Sequence, residues 1–288
     1  MVHHKSAKGV LTMDLTTTKL LNSGARMPIF GLGVFRSKDG EETYNAVRWA
    51  LDAGYRHIDT AAVYGNEASV GRAIHDSGIP RDQLWITTKL WNTEIRAHNE
   101  EAAFAESLRK LGTDYVDLYL VHWPVREEEG YLRVWEKMEQ FNKEGRARSI
   151  GVSNYHVHHL ESLLKIANVV PAVDQVECHP ELTQVELADF CAAHGIAFEP
   201  WSPLGAGKLL SDPVLTRIAE KYGKTVAQVI LRWDIQRGFI NIPKSVHKER
   251  IESNAQVFDF ELSAEDMAAI FALNKNARVG SDPETFTF

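Results

Sequence analysis

Four residues in this sequence have the types and spacing of a proton-transfer site. Asp59 ends the apolar run in "GYRHID", Tyr64 follows five residues later in "YGNE", Lys89 ends "WITTK", and His122 ends "LYLVH". A carboxylate in a segment that reads as interior is costly unless a cation neutralises it. Lys89 is the candidate partner. A nearby ammonium also favours a phenolate, so the pattern predicts that Tyr64 titrates below the usual tyrosine value of about 10 and becomes a better acid near neutrality. His122 would then position or polarise the oxygen that receives the proton. Without the tyrosine, Asp59 and Lys89 are equally compatible with a purely structural ion pair.

These residues can meet only if neighbouring elements carry them. Helical stretches with apolar residues at i, i+3, i+4 and i+7 (Leu160, Leu163, Leu164, Ala167; Val226, Val229, Ile230, Trp233) alternate with short β-branched or aromatic runs. Gly54, Gly78, Gly112, Gly145, Gly195 and Gly238 mark the joints, each after a helical pattern and before an extended one. Strands are predicted to begin near Ile29, His57, Leu84, Val116, Ser149, Val173, Ala197 and Phe239. Eight strand–helix units joined by right-handed crossovers predict an α/β fold, a closed (β/α)8 TIM barrel, as a single domain over residues 15–288. Ahead of it, "TKLLNSGARMPIF" predicts an N-terminal β-hairpin that turns at Asn22 to Gly24 and plugs the barrel bottom. Behind it, "LSAEDMAAIFALN" predicts an extra C-terminal helix capped by Ser263, with Asp266 three residues on. Residues 1–14 are expected to be a disordered N-terminal extension. A doubly wound open sheet is the alternative. It usually carries a Gly-x-Gly-x-x-Gly turn, whereas "GLGVFR" at 31–36 has Arg36 where the third glycine belongs.

In a barrel, chemistry gathers at the C-terminal strand ends. Polar residues stand there along the chain: Asp59, Lys89, His122, Ser153 and Asn154, Gln175 and Glu177, Trp201 and Ser202, Lys244 and Ser245. Adjacent strands lie about 4.8 Å apart, so Asp59, Lys89 and His122 can converge above the rim, with Tyr64 folding back over them. A lined pocket explains so many polar strand ends better than separate structural roles do.

Composition excludes several function classes. Lys and Arg number 32 against 39 Asp and Glu, giving 32 − 39 = −7, which argues against a nucleic-acid surface or adhesion to anionic lipid. No apolar run approaches the roughly 18 residues of a membrane span, and the first residues lack the apolar centre of a secretory signal, so a cytoplasmic protein is expected. The two cysteines, Cys178 and Cys191, read as reduced, packed thiols.

"GYRHIDTAAVYGNE", "TTKLW", "LVHWP", "GVSN", "QVECHP", "PWSPLG" and "IPKS" occur in that order, and on them the chain resembles the aldo-keto reductase family from about residue 16 to the C-terminus. Within the family it is similar to protozoal prostaglandin F synthases and bacterial 2,5-diketogluconate reductases. The resemblance implies a barrel that binds NADPH in an extended pose, with a catalytic tetrad on Asp59, Tyr64, Lys89 and His122. It implies that Ser153, Asn154 and Gln175 hydrogen-bond the nicotinamide carboxamide, that Trp201 stacks on the ring, and that Ser202, Leu204 and Lys208 lie over the pyrophosphate. Lys244, Ser245 and Arg250 would grip the adenosine 2′-phosphate. Two cations and a hydroxyl suit an oxyanion, and the stretch "IPKSVHKER" offers no acid before Glu249 for a bare ribose. Asn254 would contact the adenine. The family often ends this segment with Glu-Asn. Here Ser253 precedes Asn254, which loosens the expected grip.

The expected reaction is NADPH-dependent reduction of an aldehyde, ketone or quinone by a monomer, with prostaglandin endoperoxides as a further substrate class. Phe35, Trp91 and Trp123 would wall an apolar cleft, the short loop "WPVREEEGYL" would leave it open, and the tail "GSDPETFTF" would close over it. An NADPH-binding regulatory or structural barrel is the competing reading, disfavoured by the complete tetrad. No metal is expected. "HVHH" at 156–159 imitates a His-x-His ligand pair, yet it opens a helix and no carboxylate cluster accompanies it in the sequence. "GKT" at 223–225 lacks the earlier glycine of a phosphate loop, and the adjacency of Cys178 and His179 is no evidence of a nucleophile pair.

Overall fold

The computed structural model describes residues 13–125 and 128–286. An antiparallel hairpin comes first, β1 (Thr18–Leu20) against β2 (Arg26–Pro28), in the register Thr18↔Pro28, Lys19↔Met27, Leu20↔Arg26. Its turn falls where expected, closed by the Leu21 N–H donating to the Ala25 carbonyl at 2.9 Å. Seven parallel strands follow in chain order: β3 (Leu32–Gly33), β4 (His57–Asp59), β5 (Trp85–Leu90), β6 (Val116–Val121), β7 (Ala147–Ser153), β8 (Val173–Glu177) and β9 (Ala197–Trp201).

The sheet closes on itself through residues 240–244. Phe30 bridges Asn241 and Gly33 bridges Lys244 on one side, both parallel, while the Ile240 N–H donates to the Phe198 carbonyl at 3.1 Å on the other. The eighth strand expected from Phe239 is therefore present as a closing segment held by isolated bridges. Pro243 has no N–H to give, which keeps the ladder from becoming continuous there. Closure rules out the open doubly wound sheet.

Helices wrap the outside: α1 (Glu41–Asp52), α2 (Glu67–Ser77), α3 (Asn92–Arg96), α4 (Glu100–Leu111), α5 (Glu128–Lys143), α6 (Val157–Leu164), α7 (Val185–Ala193), α8 (Pro213–Tyr222), α9 (Val226–Gln236), α10 (Lys248–Asn254) and α11 (Ala264–Phe271). The cap expected for the last of them is in place, with Ser263 Oγ accepting from the Asp266 N–H at 3.2 Å. The six joint glycines all take positive φ, from 65° at Gly112 to 100° at Gly54, so each ends its helix without a Cβ clash. The stretch "WPVREEEGYL" is helical from Glu128 onward, which shortens the loop further.

Side chains alternate across the barrel strands. Ile58, Ile86, Leu90, Val176 and Phe198 pack outward in the layer under the helices. Trp85, Leu118, Leu120, Val173, Ala197 and Ile240 form an apolar floor with Leu21 and Met27 of the hairpin, which is the plug expected from the sequence. Two glycines make room inside. A Cβ on Gly31 would stand 2.6 Å from the His57 ring, and one on Gly33 2.8 Å from the Ile242 carbonyl, so "GLG" serves barrel closure and not a phosphate turn. Of the extension expected over residues 1–14, residues 1–12 lie outside the described residues. Asp14 accepts from the Thr16 N–H at 2.8 Å, and Met13 packs against the core.

Candidate active site

Above the apolar floor the inward-facing residues turn polar. Asp59 is the last residue of β4, Lys89 the fifth of β5, His122 the residue after β6, and Tyr64 the end of a single 3-10 turn, Ala62–Tyr64. They converge. Lys89 Nζ donates to Asp59 Oδ1 at 2.7 Å and to the Thr60 carbonyl at 2.9 Å, and stands 3.4 Å from the Tyr64 hydroxyl. The Tyr64 and His122 rings meet edge to face with centroids 5.6 Å apart. Lys89 is fully buried and Asp59 and His122 nearly so.

Burial sets the charge states. Desolvation works against the Lys89 ammonium, but Asp59, Tyr64 and Glu199 outweigh it and hold its pKa above the ordinary lysine value. Burial, with Lys89 adding to it, drives His122 well below the usual imidazole value, so the ring is neutral at physiological pH. Tyr64 departs from the sequence expectation: its pKa is raised, not lowered. Loss of hydration is the largest effect and exceeds the help from Lys89, while Asp59 and Glu199 oppose ionisation further. The sequence reveals the ammonium but not how completely the barrel buries the phenol. Tyr64 consequently keeps its proton across the neutral range, as a proton donor must.

Three residues expected to meet a carboxamide are knitted together at the ends of β7 and β8. Ser153 Oγ donates to the Gln175 carbonyl at 2.7 Å, and Asn154 Nδ2 donates to the His122 carbonyl at 2.9 Å and to Ser153 Oγ at 3.1 Å. Asn154, at φ 66°, also accepts from Trp201 Nε1 at 2.8 Å, which fixes that indole at the rim. Gln175 Nε2 spans two carboxyl groups, Asp59 Oδ2 and Glu199 Oε2, each at 2.8 Å. Both amide protons are committed there, so the Gln175 side-chain oxygen, Oε1, is the atom left to accept. Sequence reasoning missed Glu199. It is fully buried on β9, and desolvation, then Asp59, pushes its carboxyl up to about 8. Its alternation with Ala197 and Trp201 along the inward face was the available signal.

Lys208 lies in the 3-10 turn Gly205–Ser211 beyond β9, Lys244 ends the closing segment, and Arg250 stands on α10. Among the described residues, Lys208, Lys244 and Arg250 are exposed and none pairs with a carboxylate, in a chain whose net charge is −7. Ser245 is buried beside Lys244, its Oγ accepting from the His247 N–H at 3.1 Å. Asn254 is buried at the end of α10. Ser202 takes φ 51°, and the turn containing Leu204 and Lys208 is kinked at Ala206 and Gly207.

Aromatic rings surround the tetrad. Phe35, half exposed, lies 5.0 Å from the Tyr64 ring and Trp91 5.1 Å from His122. Trp123 is covered by Phe286 of the C-terminal segment at 4.5 Å. The same segment crosses Trp201, which a Cβ on Gly280 would strike. Glu177 anchors it: its carboxylate accepts from the Val279 N–H at 2.5 Å, the Gly280 N–H at 3.1 Å and His179 Nε2 at 3.0 Å. Burial opposes that charge, but these donors together hold Glu177 below the ordinary carboxylate value.

The sequence profile of the Aldo/keto reductase family matches residues 29–275. The chain belongs to this family. Glyoxal reductase of Bacillus subtilis (strain 168) is 53% identical over 275 residues, spanning 96% of this chain and 99% of the relative. The 9,11-endoperoxide prostaglandin H2 reductase of Trypanosoma cruzi (strain CL Brener) is 48% identical over 269 residues, 92% of this chain and 94% of its own. The crystal structure of a Bombyx mori aldo-keto reductase in complex with NADP superposes with a TM-score of 0.85 at 41% identity, covering 92% and 94% of the two chains. This aldo/keto reductase is an NADP(H)-dependent oxidoreductase of carbonyl groups. Its residues fit that cofactor: three unpaired cations beyond the strand ends suit phosphate groups, and Gln175 Oε1 is placed to accept from an amide.

Proposed function

We propose that this aldo/keto reductase reduces small aldehydes, ketones or quinones to alcohols, with Tyr64 as the proton donor. One observation carries the reading: the Tyr64 hydroxyl lies 3.4 Å from the buried Lys89 nitrogen, with the ring edge-on to the His122 imidazole at the mouth of the barrel. When bound, NADPH supplies the hydride. Lys89, fixed by Asp59, stabilises negative charge as it develops on Tyr64, and His122 orients the substrate oxygen toward the phenol. Ser153, Asn154 and Gln175 hold the carboxamide and Trp201 backs the ring. Ser202, Leu204 and Lys208 serve the pyrophosphate, Lys244, Ser245 and Arg250 the 2′-phosphate, and Asn254 the adenine. Phe35, Trp91 and Trp123 form the apolar wall for the substrate. We take the protein to act as a cytoplasmic monomer; no helix among the described residues is long and apolar enough to cross a membrane.

Two relatives suggest substrates to try, one being named for glyoxal and one for an endoperoxide. NADPH oxidation with a panel of glyoxal, larger aldehydes, quinones and a prostaglandin endoperoxide tests the proposal. Turnover of the carbonyl compounds that disappears in Tyr64→Phe supports it. NADPH binding without turnover of any carbonyl would instead identify a regulatory or structural barrel.

A further inference from the structure

The turn from β7 into α6 gathers three imidazoles, and the C-terminal segment brings a carboxylate to them. His156 caps α6, while His158 and His159 lie in its first turn. One ligating atom from each of His156, His158, His159 and Glu284 can be chosen so that all lie within 4.8 Å of one another. His156 Nδ1 is 2.5 Å from Glu284 Oε1, and His158 Nε2 is 3.5 Å from the same oxygen. "HVHH" has no accompanying carboxylate in its own stretch of sequence; the fold supplies one from 128 residues away.

We propose that His156, His158 and Glu284 form a binding site for a zinc-class divalent cation that fastens the C-terminal segment to α6. Two imidazoles and a carboxylate without a thiolate suit Zn2+ or its transition-metal neighbours, not Ca2+ or Mg2+. With metal–ligand bonds of about 2.0–2.1 Å, tetrahedral ligand atoms stand about 3.3 Å apart. His158 and Glu284 are already near that separation, the two imidazole nitrogens lie within 4.8 Å of each other, and Glu284 must draw back from His156. It sits about half exposed on a terminal segment, where such a shift is cheap.

His159 takes a different part. Its Nδ1 accepts from the His156 backbone N–H at 3.1 Å and thereby fixes the cap that aims His156. A cavity of about 520 Å³ borders the cluster, lined in part by His156, His158, Gln184, Asn276 and Arg278, and gives water access to complete the coordination. Arg278 opposes binding. Its guanidinium donates to His156 Nε2 at 2.9 Å, and a histidine that ligates through Nδ1 carries its proton on Nε2 and repels that donor. Glu177 at 3.9 Å and Asp282 at 4.0 Å are its alternative partners. Because Phe286 covers Trp123 and Gly280 lies on Trp201, an occupied site holds the segment against both indoles.

The test is titration of the metal-stripped full chain with Co2+, a visible probe for Zn2+ coordination, followed by displacement with Zn2+. One equivalent is expected to give the absorption of a four-coordinate ion and to be displaced by Zn2+. Glu284→Gln and His158→Asn should each weaken binding at least about 10-fold. Arg278→Gln should tighten it, and replacing His3 and His4 by asparagine should leave it unchanged. NADPH oxidation in metal-free buffer checks that each variant is folded. The proposal is overturned if no such absorption develops, if it survives unchanged in Glu284→Gln and His158→Asn, or if it vanishes with His3 and His4.

Discussion

Lys89 Nζ lies 2.7 Å from Asp59 Oδ1 but 3.4 Å from the Tyr64 hydroxyl. The ammonium is first a partner to a buried carboxylate and only then a neighbour to the phenol. Removing either charge strands the other in the barrel. Lys89→Met and Asp59→Asn are each expected to cost about 3–5 kcal/mol of stability by urea unfolding. The double replacement should recover part of that loss without recovering turnover. Since the folded pKa of Lys89 lies above its ordinary 10.5, its contribution is complete below pH 10.5 and is lost only as pH rises through the raised value.

Glu199 gives a second pH signature, opposite to that of a salt-bridged carboxylate. Its carboxyl titrates near 4.5 in the unfolded chain and at about 8 in the barrel. Between those values the folded state holds a proton that the unfolded state has lost, so stability declines as pH rises through that window. Glu199→Gln removes the titration. Its melting temperature, compared with the parent across the window, should gain ground steadily as pH rises; parallel curves would count against a protonated Glu199.

Arg250 has no carboxylate partner among the described residues, so its charge is available to a phosphate. Charged hydrogen bonds contribute about 1.5–3 kcal/mol, hence Arg250→Ala should raise the NADPH dissociation constant by roughly 10- to 100-fold. NADH, which lacks the 2′-phosphate, should be nearly unaffected. Fluorescence titration with both nucleotides reads the difference, and equal losses would remove Arg250 from the phosphate site.

Gly280 is set against Trp201 so closely that a methyl group would lie 3.0 Å from one ring carbon and closer to another. Gly280→Ala should therefore lift the C-terminal segment from the indole. Faster protease cleavage within that segment and altered tryptophan fluorescence are expected, with the barrel intact. Identical cleavage and emission would show that the segment does not rest there in solution.

Much of this was legible in the chain. The glycines after α1, α2 and α4 and the β-branched runs beyond them marked the strands, because backbone punctuation is local. Asp59, Lys89 and His122 were legible because a barrel turns strand ends into neighbours. The direction of the Tyr64 shift was not, since it depends on how much water the closed rim excludes, a property of the whole sheet. The Glu177 anchor and the meeting of His156 with Glu284 were hidden for a related reason. Each joins segments far apart in sequence, and no spacing rule connects them.

The central claim, that the Tyr64 phenol delivers the proton, is tested most directly by single-turnover hydride transfer from bound NADPH to an aldehyde in Tyr64→Phe. That step should fall by about 10²–10⁴-fold while the NADPH dissociation constant stays within about twofold. Hydride transfer at the parent rate would contradict the account.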